Sequence, residues 1–229
     1  MKGHGQFCPV AVASEVFAQR WTPLIIRELG AGSSTFNDIH RGLPRISRTL
    51  LAQRLRTLEA AGVVESLPAP GGRGSAYRLT AAGAEFKPVV DALGAWGQRW
   101  TARFDATNLD SDLLMWNLRR RLALDRWPLP HSLLRFDFAP LPPRQRKARS
   151  YWLVVEPPQV TLCLKDPGNE VDLLVQSRMD AFARVWLGDI ALDEALRSGA
   201  IRLSGARVLV RALPGALLLS RFAQVPRPG

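Results

Sequence analysis

The chain has only two cysteines, three histidines and no apolar run of the roughly twenty residues that a membrane-spanning helix needs. Cys8 and Cys163 lie far apart, so a disulfide framework is not expected. His4, His40 and His131 are scattered, and no cysteine, histidine or carboxylate shows metal-ligand spacing, so neither a metal nor another cofactor is predicted. The polar first residues also lack the apolar core of a signal peptide, which predicts a cytoplasmic protein without a membrane partner.

Catalytic motifs are also missing. The sequence contains no nucleophile elbow and no recognisable serine triad. The glycine-rich stretch GGRG lacks the Lys-Ser/Thr pair and the strand-to-helix setting of a phosphate-binding loop. No catalytic residue is assigned, and the chain is predicted not to be an enzyme.

Positive charge is abundant. The 229 residues carry a formal net charge of +11 with a pI near 11.0, and 47% of them are hydrophobic. This composition is that of a globular protein, and its length allows one large domain or two small ones, of which we expect two. The charge indicates an anionic partner, with nucleic acid as the first choice and a membrane surface as the second.

Three short helical patterns in the first 42 residues precede a longer one, ISRTLLAQRLRTLEAAGVV. Ser47 is suited to cap this fourth helix, predicted over 47–61, and Leu51, Leu55 and Leu58 form its apolar stripe. Its other side carries side chains of the kind that read base edges and phosphates in a major groove. An ordinary amphipathic surface helix is the alternative. The predicted DNA-binding residues of this helix are Ser47, Arg48, Thr49, Gln53, Arg54 and Arg56.

A hairpin is predicted directly after this helix. Residues 63–67 and 76–79 have the pattern of two strands, and the segment PAPGGRGS between them has the composition of a flexible turn. A hairpin after a recognition helix is a wing, here spanning residues 65–79. Arg73 lies between glycines at its tip, where a guanidinium can enter a minor groove, and Arg78 follows in the returning strand.

Thr80 is suited to cap a long helix that reaches Trp100 and bends near Pro88. Its apolar positions alternate steps of four and three, and one small domain could hardly bury all of them. A dimer contact is the favoured interpretation, and packing onto a downstream domain is the alternative. The predicted dimer residues are Phe86, Val90, Leu93, Trp96 and Trp100.

Residues 7–104 resemble an HxlR-type winged helix-turn-helix transcriptional regulator, a relative of the MarR group. Cys-Pro, Arg-Trp, Ile-Ser before Leu-Arg-x-Leu-Glu, Leu-Thr-x-x-Gly and Trp-Gly occur in order and at suitable spacing. The resemblance implies a homodimer on a pseudo-palindromic operator of double-stranded DNA, with the helix from Ser47 in successive major grooves. In some members the cysteine of the Cys-Pro pair senses oxidants or electrophiles, and Cys8 occupies that position.

The second half is predicted to be a separate domain over residues 113–224, joined through a polar linker at 105–112. A helix over 113–124 precedes four strands at 134–138, 151–155, 160–164 and 171–175, which are close in sequence and predict an antiparallel sheet. Helices at 180–187 and 192–197, a strand at 201–203 and a terminal helix interrupted at Pro214-Gly215 follow. The predicted fold class is therefore α+β, with an N-terminal winged helix and an α+β C-terminal domain.

The stretch FARVWLGDIALDEALRSGAIRLSGARVLVRAL is similar to the C-terminal half of sterol-carrier-protein-type domains. The resemblance implies a five-stranded sheet with helices on one side and an apolar cavity between them that accepts a lipophilic ligand. For each matching position, plain core is the alternative, and the whole domain serving only as a dimerisation scaffold is the alternative function. The predicted pocket residues are Phe136, Phe138, Leu173, Val175, Phe182, Val185, Trp186 and Leu217.

Overall fold

The computed structural model describes residues 3–69, 74–101, 108–138 and 149–227. They form two compact units, Met1–Gly97 and Gln98–Gly229, and the division between them falls inside a helix. The predicted division after residue 104 and the linker at 105–112 remain predictions. The mixed α and β content confirms the predicted α+β class.

The first unit contains helices and one two-stranded sheet. Thr35, Ser47 and Thr80 each begin a helix by accepting a hydrogen bond from a backbone N–H three residues ahead, as capping residues do. The elements are α1 (Pro9–Phe17), α2 (Thr22–Gly30), α3 (Phe36–Gly42), α4 (Arg48–Ala60), β1 (Val64–Pro68), β2 (Ser75–Leu79), α5 (Ala81–Glu85) and α6 (Lys87–Trp100). The single helix predicted from Thr80 is two helices, because the chain breaks at Phe86, before Pro88.

The core of this unit is formed where α2, α3 and α4 meet the start of the hairpin. Its buried side chains are Ile25, Ile26, Leu29, Ile39, Leu43, Ile46, Leu51, Leu55, Leu58, Val63, Val64 and Val90. Glu28 is also fully buried, and its two carboxylate oxygens accept from Arg27 at 3.0 Å and from Ser33 at 3.1 Å. The same Arg27 guanidinium donates to the carbonyl of Gly42 at 3.2 Å, so a charged pair connects α2 to the end of α3.

The second unit is a sheet with helices packed on one face. Its elements are α7 (Ser111–Leu118), a 3-10 turn (Leu124–Arg126), β3 (Ser132–Phe138), β4 (Arg149–Glu156), β5 (Gln159–Cys163), β6 (Leu173–Ser177), α8 (Met179–Trp186), α9 (Leu192–Arg197), β7 (Ile201–Gly205) and α10 (Arg207–Ala216). Helix α7 starts inside the predicted linker because Asp110 caps it, accepting from the backbone N–H of Leu113 at 3.0 Å. It ends at Leu118, six residues before its predicted end.

The sheet is mixed, with the strand order β5-β4-β3-β6-β7. The prediction of an antiparallel sheet was wrong for one pair, because β6 lies parallel to β3. The segment 164–172 crosses from the edge strand β5 to the far side of β3, so β6 enters the sheet in the same direction as β3. Closeness in sequence predicted a hairpin at a place where the chain makes a crossover.

One face of this sheet carries the core. Along β3, Leu134, Phe136 and Phe138 point to buried helical side chains of α7, α8 and α10. The alternating positions Arg135 and Asp137 lie on the opposite face and form an ion pair at 2.8 Å. The predicted interruption of the terminal helix lies two residues from its end, since Pro214 is inside α10, which stops at Ala216.

Candidate nucleic-acid interface and other predicted sites

Helix α4 is held by one side and exposed on the other. Leu51, Leu55 and Leu58 are buried in the core of the first unit. A short turn connects the end of α3 to Ser47, which caps α4. Such a pair of helices joined by a short turn is the arrangement of a helix-turn-helix, in which the second helix is free to enter a major groove.

Thr49, Gln53 and Arg56 lie along the exposed side of α4 at spacings of four and three residues, so they share one face. Ser47 and Arg48 are exposed at its first turn. An amide such as that of Gln53 can bond an adenine edge through two hydrogen bonds, and a guanidinium such as that of Arg56 can do the same with guanine. The exposed face therefore offers the donors and acceptors that direct base contact requires.

Two of the predicted arginines are engaged within the unit. Arg48 donates to the side-chain oxygen of Asn37 at 3.1 Å and lies 5.8 Å from the ring centre of Phe36, which holds it against α3. Arg54 is half-buried and donates to the amide oxygen of Gln19. The structure thus separates Arg54 from the face that carries Gln53 and Arg56.

The predicted wing is present as β1 and β2, paired antiparallel from Val64 opposite Leu79 to Pro68 opposite Ser75. Arg78 is exposed and forms a cross-strand ion pair with Glu65 at 2.7 Å. This pair leaves the guanidinium at the solvent side of the hairpin. Arg73 at the predicted tip lies outside the described residues.

Arg45, which is not among the predicted residues, is an exposed cation in the turn between α3 and α4. It comes two residues before the cap Ser47. An exposed guanidinium can contact a phosphate, and the local sequence signal for this position is the run Arg-Ile-Ser-Arg.

The predicted dimer residues fall into two groups. Phe86 stacks on Phe17 with ring centres 3.5 Å apart, and Val90 is buried, so both belong to the core of the first unit. Leu93, Trp96 and Trp100 are 54%, 57% and 58% exposed along α6. Val89, which the prediction did not include, is exposed beside them. The dimer contact stays a prediction. Leu93, Trp96 and Trp100 are the predicted dimer residues whose side chains are exposed for such a contact.

The predicted ligand residues lie in or against the core of the second unit. Phe182 packs edge-on against Phe136 at 6.1 Å and Phe138 at 5.5 Å between ring centres. Leu173, Val175, Val185 and Leu217 are buried in the same cluster, and Trp186 is half-buried at its margin. These side chains belong to the buried core between the sheet and the helices.

A cavity of about 520 Å³ lies elsewhere in this unit, between the end of α8 and the C-terminal segment. Arg184, Asp189, Val225 and Arg227 are among its lining residues, and none of the eight predicted pocket residues is. Across the described ranges, histidine, cysteine and carboxylate side chains form no group of three that could hold a metal ion. No helix in these ranges is both long and apolar enough to cross a membrane.

Cys8 is exposed at the start of α1. The backbone N–H groups of Ala11 and then Val10 lower the pKa of its thiol, although neither forms a hydrogen bond of regular geometry with the sulfur. A lowered pKa at an exposed site increases the fraction of reactive thiolate. Cys163, in β5, is half-buried.

The first unit matches known regulators. Residues 16–105 match the family model described as HxlR-like helix-turn-helix. The HTH-type transcriptional regulator YvaP of Bacillus subtilis strain 168 is 33% identical over 98 residues, which are 42% of this chain and 90% of that protein. The HTH-type transcriptional regulator YodB of the same organism is 33% identical over 95 residues, 41% of this chain and 85% of the relative. The solved reduced form of YodB is 31% identical, with a TM-score of 0.37, over 44% of this chain and 100% of the other.

The family match covers the capped helix α4, its exposed polar face and the hairpin that follows. YvaP is 33% identical and is matched over 90% of its length. The chain therefore belongs to the HxlR-like helix-turn-helix family of transcriptional regulators.

Proposed function

We propose that the protein is a dimeric transcriptional regulator that binds a pseudo-palindromic operator through helix α4. The observation that carries the proposal is the exposed face of Thr49, Gln53 and Arg56 on a helix whose other side is buried. Family membership supports DNA as the ligand of this face. The net charge of +11 supports the phosphate contacts that position such a helix.

The proposed dimer follows from the two-fold symmetry of such an operator. A two-fold operator requires two recognition helices, and the exposed side chains of Leu93, Trp96 and Trp100 offer an apolar face for a second copy. On each half-site Ser47 and Arg48 contact the phosphates near the start of α4, and Arg48 exchanges its hydrogen bond to Asn37 for one to a phosphate. The wing, with Arg73 and Arg78, lies along the flanking backbone or minor groove.

Titration of a fluorescent promoter fragment with the full-length protein tests DNA binding. Affinity for the DNA upstream of its own gene should fall steeply as salt rises, because each phosphate that is neutralised releases a counterion. An affinity that is independent of salt, or equal for an unrelated fragment, would be inconsistent with operator recognition.

For the second unit, the packing favours a domain that serves only as a dimerisation scaffold over one whose interior holds a lipophilic ligand. A ligand between the sheet and the helices would have to separate Phe182 from Phe136 and Phe138, which are in contact. Native mass spectrometry of the purified chain, followed by organic extraction, should therefore find no bound lipophile. A lipophile retained at one molecule per chain would instead support ligand control through this interior.

Thiol sensing at Cys8 is the second candidate function, because Cys8 is exposed and the pKa of its thiol is lowered. At neutral pH, iodoacetamide should alkylate Cys8 faster than Cys163, as measured by mass spectrometry of the two peptides. Hydrogen peroxide should then change operator affinity in the wild type and leave the Cys8→Ser variant unaffected. Equal responses of the two proteins would argue against sensing.

A further inference from the structure

The cavity at the end of α8 is built from the second unit alone. The end of α8 and the turn after it form one wall and the C-terminal segment forms the other. Gln98 completes the lining and donates to the carbonyl of Leu187 at 2.9 Å. Gly188 lets the two walls approach, because its φ of 81° suits glycine and a Cβ there would overlap the carbonyl oxygen of Ala223. Its volume of about 520 Å³ lies within the range of small-molecule sites in proteins, roughly 300–1,000 Å³.

The charges around this cavity do not balance. Arg227 and Asp189 form an ion pair at 3.0 Å with side chains 23% and 16% exposed, so these two charges neutralise each other. Arg184, in the last turn of α8, has no carboxylate partner among the residues the structure describes. The lining as a whole therefore carries one uncompensated positive charge, which fits a single negative charge better than a doubly charged phosphate.

The hydrogen-bonding groups point to the same ligand chemistry. Arg184 is exposed in the wall of the cavity, and its guanidinium carries N–H donors in a planar fork that a carboxylate can accept from in pairs. The side chain of Arg227 is 23% exposed and belongs to the same lining. Leu187 and Val225 add apolar wall to the cavity. A ligand with one carboxylate and an apolar body would satisfy both kinds of surface.

We propose that this cavity binds a small organic monoanion, whose carboxylate is held by Arg184 and Arg227 and whose apolar body lies against Leu187 and Val225. Hydrogen bonds between guanidinium and carboxylate are charge-assisted and directional, so they would set the orientation of the ligand. This site lies outside the sheet interior, and its ligand class differs from the lipophile predicted there.

Isothermal titration calorimetry of the full-length protein with naphthoate tests the proposal, with the uncharged analogue naphthamide for comparison. Naphthoate should bind at one site per chain and about tenfold or more tightly than naphthamide, since the amide cannot pair with a guanidinium. Arg184→Gln should weaken naphthoate binding by about tenfold. Arg211→Gln removes the same charge from an exposed position of α10 outside the cavity and should leave binding unchanged.

A second variant tests the cavity independently of its charges. Val225→Trp should fill the space and weaken naphthoate binding while the ion pair of Arg227 and Asp189 is retained, and thermal unfolding checks that each variant is folded. The proposal is overturned if the wild type does not bind naphthoate, binds naphthamide equally well, or binds naphthoate as tightly after Arg184→Gln or Val225→Trp. The measurement contains no DNA, so its outcome is independent of operator binding.

Discussion

Replacing Phe182 by alanine should lower the free energy of unfolding of the second unit by about 3–5 kcal/mol. Phe182 is only 1% exposed, and its ring meets those of Phe136 and Phe138 edge-on, at interplanar angles of 83° and 77°. Alanine would remove the buried ring area and both aromatic contacts, and it would leave a cavity that neighbouring side chains close only in part.

Urea unfolding followed by circular dichroism measures the loss, and hydrogen exchange of peptides from β3 and β6 assigns it to the second unit. Leu164→Ala is the matched control, because Leu164 is 63% exposed and its truncation should change stability by no more than about 0.5 kcal/mol. If Phe182→Ala were as mild as this control, the interior would not be packed as the structure has it. The interpretation that this interior holds a lipophilic ligand would then regain support.

Replacing Gln53 and Arg56 by alanine should each lower operator affinity by about 1–3 kcal/mol, roughly 5-fold to 150-fold. Both side chains are exposed on the face of α4 opposite Leu51 and Leu55, so their loss should leave the core unchanged. Each can form two hydrogen bonds with one base edge, and alanine forms none. The effect of the double substitution should be close to the sum if the two contact separate base pairs.

Fluorescence anisotropy with a labelled promoter fragment measures this loss. Arg197→Gln provides the charge control, since it removes one positive charge from an exposed position of α9, far along the chain from α4. The variants should have the melting temperature of the wild type. A Gln53→Ala, Arg56→Ala protein with wild-type affinity would remove α4 from the interface.

Local signals predicted the first unit well. The caps Ser47 and Thr80 act within three residues of themselves, and the stripe of α4 repeats at the helical period, so both can be identified from neighbouring letters. Arg54 and Phe86 could not be assigned this way. Their partners, Gln19 and Phe17, are far away in sequence and come close only when the core forms.

The second unit shows the same division between local and distant information. Alternation along β3 identified Phe136 and Phe138 as inward-facing, but whether the interior is filled depends on Phe182, from a helix that follows much later. The parallel pairing of β6 depends on a crossover without a motif of its own. Arg184 and Arg227 line the same cavity, and no spacing rule connects those positions.

The central claim is that the exposed face of α4 reads the sequence of an operator. The most direct test compares wild-type and Gln53→Ala, Arg56→Ala proteins on the promoter fragment and on an unrelated fragment of equal length, at one salt concentration. The wild type should prefer the promoter fragment by about a thousandfold or more. The double variant should lose most of that preference while it keeps its weak affinity for the unrelated fragment. A double variant that retains the full preference would contradict the claim.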